Sequence, residues 1–357
     1  MGTILATLLV AGPALAGGSM EDALVVKVAK GPYGPRGMPG DIVQLKDGGL
    51  LMSYTRDGGI LGIQSSNQGK TWGEPRVLIR APQAPAKGSY AHPSFLRLPN
   101  DEILLSYIYS THPATPYFGH NYYRRSADEG RTWTEQFILT PHPGYVIVHN
   151  DRLSLLSSGR IVAMAEYKAR MPSTNDHSGY VGLAFFSDDL GHSWQVSKNA
   201  VDMGPVEVQE ADAVELKDGR LMMFARTYSG FPVRAYSSDK GETWSKGEAI
   251  KELSMPYAGL PTVRRIPSTG DLVFLWISER SVDKQDPKIH RRCALSAAIS
   301  KDEGRSFGPL RHIARDPEDD FGYQCIEFVG KDLAVVAYHA RDGLHVARIG
   351  IDWFYGK

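Results

Sequence analysis

A tyrosine, a glutamate, an aspartate and two arginines in this 357-residue chain are brought to one place by counting alone. Six stretches share one pattern, an alternating strand, a turn rich in Gly, Asp, Asn or Ser, and a second apolar strand. They are IVQLKDGGLLMSY from Ile42, FLRLPNDEILLSY from Phe95, LSLLSSGRIVAMA from Leu153, AVELKDGRLMMFA from Ala213, VRRIPSTGDLVFLW from Val263 and IEFVGKDLAVVAY from Ile326. Each reads as a β-hairpin. Six residues before the last apolar position ahead of each turn stand Pro39, His92, Asn150, Glu210, Leu260 and Tyr323. Glu210 and Tyr323 are therefore equivalent positions in two repeats. Arg226 ends the second strand of the Glu210 repeat, while Asp57 and Arg292 each stand eight residues before the serine of a second repeated segment. Arginines suit bidentate binding of a carboxylate, and a carboxylate beside a tyrosine can take a phenolic proton that otherwise leaves only near pH 10. The set offers anion recognition beside groups able to transfer protons.

The elements that must position these residues follow from that second segment. It recurs as SSNQGKTW from Ser65, SADEGRTW from Ser126, SDDLGHSW from Ser187, SSDKGETW from Ser237 and SKDEGRSF from Ser300, with starts 61, 61, 50 and 63 residues apart. Such a period marks a supersecondary unit of several strands. The acid can bond backbone N–H groups within its own turn, the glycine supplies a conformation other residues resist, and the aromatic can plug a hydrophobic layer. Asn67 replaces the acid once and Phe307 the Trp once. With the strands on either side of each turn, every repeat contains about four strands, and the predicted fold is all-β, a six-bladed β-propeller with four-stranded antiparallel blades over residues 21–357. The sixth repeat lacks the turn, as expected of a terminal blade closed by the N-terminal strand around Leu24 to Val28. In an up-and-down blade the first strand starts, the second ends and the third starts at one rim, which is where Glu210, Tyr323, Asp57, Arg226 and Arg292 all fall. The repeated turns lie on the other rim and read as structural.

Composition limits the functions available. Lys plus Arg equals Asp plus Glu, 40 against 40, so nothing suggests a nucleic-acid partner. Hydrophobic residues at 42% and charged residues at 22% describe a globular chain with no membrane span. Residues 1–20 read as a signal peptide or a short appended segment: Met1 to Ala16 are mostly small and apolar and end in Ala14, Leu15, Ala16, though no Lys or Arg precedes the run. The first alternative predicts a secreted or periplasmic protein. Cys293 and Cys325 are too few for a disulfide framework, leaving at most one bridge. No His and Cys spacing supports a metal site, and no phosphate-binding glycine loop or cofactor motif is evident.

The repeated S-x-D-x-G-x-T-W turns resemble the Asp boxes, or BNR repeats, of the sialidase superfamily, and the resemblance covers nearly the whole chain after residue 20. It implies an exo-α-sialidase acting on sialylated glycans or related acidic nine-carbon sugars, with retention of configuration and no cofactor. In that pattern Tyr323 in FGYQCIEF is similar to the family nucleophile, Glu210 in QEADAVELKDGRLMMFART to its partner glutamate, Arg226 and Arg292 to the second and third carboxylate-binding arginines, and Asp57 in YTRDGGILGIQSS to the acid/base. A neutral tyrosine avoids the repulsion that a carboxylate nucleophile would feel from the substrate's own carboxylate; sialidases are the tyrosine-nucleophile exception among glycosidases. The chain departs from the family at the first arginine, where an aromatic-Arg-Ile-Pro motif is absent and PYGPRGMPGDIVQL stands instead; Arg36 is the nearest substitute and Arg56 the rival. The stretch HNDRL has no counterpart, and its Asp151 and Arg152 read as added substrate contacts. Each of these residues has a structural alternative: Asp57 precedes Gly58 and Gly59 as a turn residue would, Tyr323 suits a core, and the arginines suit paired rim positions. His92 and His149 read as rim or lining residues. The rival function is a propeller that binds glycans or a protein without catalysis.

Overall fold

The second strand of every hairpin is mostly apolar and buried because its two faces meet two different neighbours. Leu50 and Met52 pack with Val335 and Ala337, whereas Leu51 between them packs with Ile103 and Leu105. A period-2 strand buried on both sides needs this continuous apolar run, and six such strands radiating from one axis give six inter-blade cores, one for each neighbouring pair. Truncating a fully buried side chain such as Leu51 to alanine is expected to cost about 2–5 kcal/mol.

The structure is a computed structural model that describes residues 18–29, 31–32, 34–83, 88–110, 119–169, 179–256 and 259–357. Residues 1–17, within the segment read as a leader, lie outside the described residues. Blade one comprises Pro39–Gln44, Leu50–Arg56, Gly59–Ser65 and Arg76–Ile79, from the axis outward. Blade two comprises Ser89–Arg97, Ile103–Ser110, His120–Ser126 and Phe137–Ile138. In blade three the inner strand is split into Tyr145–Ile147 and Leu153–Leu155, both paired with Ile161–Lys168, followed by Val181–Ser187 and Gln195–Val196. Blade four comprises Gln209–Glu215, Leu221–Arg226, Val233–Ser237 and Glu248–Ala249; blade five comprises Thr262–Arg265, Leu272–Val282, His290–Ser300 and Arg311–Arg315. Blade six has Gly322–Val329, Leu333–Ala340 and Gly343–Gly350, and its outer strand is Met20–Lys27. That N-terminal strand pairs antiparallel with Gly343–Gly350 and closes the ring, as expected. Cys293 and Cys325 are both buried and free. Among the described residues no helix is long and apolar enough to cross a membrane.

The repeated turns join third to fourth strands on one rim, each built the same way. In the second copy Ser126 Oγ donates to Asp128 Oδ1 at 2.8 Å, and Asp128 accepts from Thr132 N and Thr132 Oγ1 at 2.8 and 2.7 Å. The Thr132 backbone and hydroxyl, against slight burial, hold the Asp128 carboxyl down at about 2. Glu129 and Gly130 are both left-handed, at φ 62° and 74°, a conformation for which only glycine is free of penalty. Glu129 also reaches a neighbour, binding Arg97 at 2.7 Å and accepting from Lys46 N at 3.0 Å in blade one. Glu303 repeats this in blade five with Arg265 and Lys217 N.

Candidate active site

At the other rim the inner strands start with a defect. Gln209 pairs with Arg226 and Asp212 with Phe224, so two residues of one strand oppose one of the next; the same shift occurs between Gly322 and Cys325 and between Ala91 and Ser94. These are β-bulges. Each places one non-glycine residue in the left-handed region: Glu210 at φ 48°, Tyr323 at 51° and His92 at 49°. The equivalence counted from the sequence is thus a shared backbone shape. Such residues carry a cost of about 1–3 kcal/mol and cluster where a side chain must be aimed. In blade three the left-handed residue is Asp151, at φ 55°, one position beyond the count, because the split inner strand is a residue shorter there.

The bulges bring Tyr323 and Glu210 into one electrostatic cluster with three arginines. Burial raises the Tyr323 phenol above its ordinary value; Arg292, Arg226 and Arg36 pull it down and Glu210 pushes it up. The Arg292 guanidinium lies over the Tyr323 ring, 5.2 Å from its centroid. Arg226 Nη1 is 2.7 Å from Glu210 Oε1, and Arg226 Nη2 donates to the Tyr228 hydroxyl at 2.5 Å. Burial works to raise the Glu210 carboxyl, but Arg226, His149 and Arg292 outweigh it and hold the group at about 2. Glu210 Oε2 is buried with no hydrogen-bond partner, as are Arg292 Nε and Nη1. A buried polar atom without a partner forfeits about 1–3 kcal/mol. No direct hydrogen bond joins Tyr323 to Glu210.

Three residues that counting missed hold this cluster in place. Asp320, fully buried, accepts from Arg36 Nε and Nη2, both at 2.5 Å, and from the Arg292 backbone N–H at 2.9 Å. His339 Nε2 is 3.4 Å from the same carboxylate, and its ring centroid is 5.6 Å from that of Tyr323. Although burial favours the protonated form, His339 and Arg36 hold the Asp320 carboxyl far below the usual carboxylate range. Glu166, at the end of the second strand of blade three, accepts from Glu210 N at 3.3 Å and lies 3.5 Å from His149 Nε2. Glu166 and His339 stand directly after the hairpin repeats of blades three and six, the place Arg226 takes in blade four, so the repeat carried a signal for them; Asp320 lies in no repeated segment.

The remaining sequence candidates lie elsewhere. Between Arg36 and Arg56, the structure brings Arg36 to Tyr323, while Arg56 is exposed at the end of its strand. Asp57 and Gly58, at φ 52° and 77°, form the two-residue turn between Arg56 and Gly59, the double left-handed conformation of a tight hairpin. Asp57 is exposed, and it is not among the groups that dominate the charge around Tyr323 or Glu210. Asp151 and Arg152, expected as substrate contacts, belong to a buried axial network. Asp151 is salt-bridged to Arg264, and Arg152 Nη1 donates to Asp151 O at 2.8 Å and lies 3.7 Å from Asp212, with Nη2 bound to Pro261 O. Most of their hydrogen-bonding groups are met within the protein, Arg152 Nε excepted. A cavity of about 500 Å³ at the far end of this network is lined by Asp41, Arg97, Arg264 and Glu327 and contains none of the Tyr323 cluster. Among the described residues no group of His, Cys, Asp or Glu is arranged to hold a metal ion.

A six-bladed propeller with box turns on one rim and an arginine-rich tyrosine cluster on the other defines a class. The sequence model of the BNR repeat-like domain family matches residues 43–327, and the chain belongs to that family. It is 28% identical over 254 residues to a sialidase of Micromonospora viridifaciens, a match covering 62% of this chain and 38% of that protein. The chain thus spans well under half the length of that relative. Among solved structures, a Dyadobacter fermentans protein of unknown function superposes with a TM-score of 0.70 at 18% identity, covering 93% of this chain and 98% of the other. The intramolecular trans-sialidase of Ruminococcus gnavus superposes with a TM-score of 0.68 at 14% identity, covering 92% and 97%. At these identities the structural likeness establishes the fold.

Proposed function

We propose that the chain is an exo-acting glycosidase that removes a terminal sialic acid, or a related acidic nine-carbon sugar, from glycans with retention of configuration. The observation that carries this reading is the convergence on Tyr323 of Glu210 and of Arg36, Arg226 and Arg292. A sugar carboxylate seated against Arg292 satisfies guanidinium N–H groups that now have no partner, and charge-assisted bonds of this kind are the strong ones. The arginines also favour the phenolate over the phenol. As Tyr323 Oη attacks the anomeric carbon, its proton passes to Glu210 Oε2 and the glycosidic oxygen leaves. In this reading Asp57 protonates that oxygen and later activates water; its exposed carboxylate has no protein partner among the described residues. Water then displaces the tyrosine, and two inversions give retention.

The position of Asp57 in an exposed turn, outside the groups that dominate the charge around Tyr323, favours a second reading, a propeller that binds acidic glycans without cleaving them. Release of a fluorogenic leaving group from an α-linked sialoside by wild type and by Tyr323→Phe separates the two. Hydrolysis by wild type with a loss of at least about 10³-fold in the variant is the expected result. A folded wild type inert on sialosides and related acidic sugars would leave the binding propeller.

A further inference from the structure

The wall facing the arginines has a character of its own. Because the blades pack in sequential order around the ring, blade two lies across the axis from blade five, which contributes Arg292. At the mouth of blade two His92 occupies the bulge position that carries Glu210 and Tyr323 in blades four and six. Its ring centroid is 5.1 Å from that of Tyr323 and 4.6 Å from that of His149, just ahead of the break in blade three. His92 Nδ1 and both ring nitrogens of His149 are buried without a hydrogen bond. Glu166 Oε2, 3.5 Å from His149 Nε2, fixes that ring from behind. His92 Nδ1 and His149 Nδ1 have neither a hydrogen bond nor an ionic neighbour; buried polar atoms of this kind are costly to keep, and nothing in the tyrosine chemistry uses them.

Building on the sialidase-like reading, we propose that His92 and His149 form a hydroxyl-reading wall that selects the acidic sugar by hydroxyl groups on the side opposite its carboxylate. A neutral imidazole offers one N–H donor and one lone pair, which matches a hydroxyl, itself donor and acceptor. Burial, aided by His149, holds the His92 ring at about 3, so it stays neutral at physiological pH and acts through hydrogen bonds. A cation at His92 would also compete with the arginines for the carboxylate; a neutral His92 leaves one orientation of the sugar preferred.

The test is titration calorimetry with free N-acetylneuraminate and with analogues that each lack one hydroxyl, against wild type, His92→Asn and His149→Phe. Asparagine tolerates the left-handed backbone at position 92, and thermal melting confirms that both variants fold. Wild type is expected to lose roughly ten-fold in affinity on at least one deoxy analogue, the worth of one buried hydrogen bond. A histidine variant is expected to lose the same factor on the parent sugar and nothing further on that analogue. Variants that bind the parent as wild type does, or that lose as much as wild type on every analogue, overturn the proposal, as does a folded wild type that binds none of these sugars. Failure of the hydrolytic reading registers separately, as absence of turnover by a wild type that still binds.

Discussion

The two rims of this propeller use charged side chains in opposite ways. On the box rim the acids are consumed by the protein: Asp128, Asp189, Asp239 and Asp302 each bond the serine two residues before them and the N–H and hydroxyl four residues after. On the other rim Glu210, Arg292, His92 and His149 are buried yet leave Oε2, Nε, Nη1 and ring nitrogens without partners. Satisfied polar groups stabilise and unsatisfied ones cost, so the first rim reads as clasp and the second as site. The repeat explains how both exist in one fold. A strand has two ends, and repetition fixes the blade while leaving the bulge residue at each inner-strand start free to vary, as His92, Glu210 and Tyr323 do.

That contrast is open to attack from both sides. After Tyr323→Phe, the largest effect on turnover is expected at Arg292, where Arg292→Ala should lower kcat/KM on a sialoside by roughly 10²-fold, the worth of hydrogen bonds to a charged group, with little change in melting temperature because that guanidinium has unpartnered buried nitrogens. A large loss of stability there would place Arg292 among the clasps. Next comes Arg226→Met, which leaves the Glu210 carboxylate buried beside Arg292 and His149 alone. A buried charge stripped of its main partner costs about 3–5 kcal/mol, measurable by urea unfolding at pH 7.

Smaller effects concern stability and pH. Burial and Asp151 raise the Glu327 carboxyl at the far end of the axis to about 8. A carboxyl raised on folding binds more protons than its unfolded counterpart, so it erodes stability as pH rises from near 4.5 to about 8. Glu327→Gln should therefore stabilise the protein at pH 8.5, by on the order of 2 kcal/mol, and leave it unchanged at pH 4; equal effects at both values would refute the assignment. The smallest effect is Asp128→Ala, which should cost about 1–2 kcal/mol while turnover stays at the wild-type rate. Because Asp128 is held at about 2, its contribution is complete above pH 4 and fades as pH falls toward 2. Melting curves of wild type and variant should converge in that window.

Reading the site from sequence could lean on the repeat at some positions and only on single residues at others. Counting located Glu210 and Tyr323 because both occupy the same bulge in units of the same length. It shifted by one in blade three, where the split inner strand puts Asp151 in the place given to Asn150. Asp57 matched by spacing, yet a two-residue turn of left-handed residues needs an Asp before Gly for conformational reasons alone. Arg152 showed the same ambiguity, since an arginine reaching the axis is indistinguishable in sequence from one reaching solvent. Asp320 had no repeat to betray it, whereas Glu166 holds the repeat position of Arg226 but carries the opposite charge.

What the sequence determined by itself was the blade and its count. Alternating strands, box turns and apolar second strands are local patterns set by backbone geometry and burial; each hairpin could be compared with five others and each box turn with four. What tertiary structure alone decided was which charged groups cancel. Arg36 finds Asp320 across 284 residues, and Arg264 meets Asp151 across 113. Pairings between such distant positions follow from closing the ring, which converts separation along the chain into proximity at the axis.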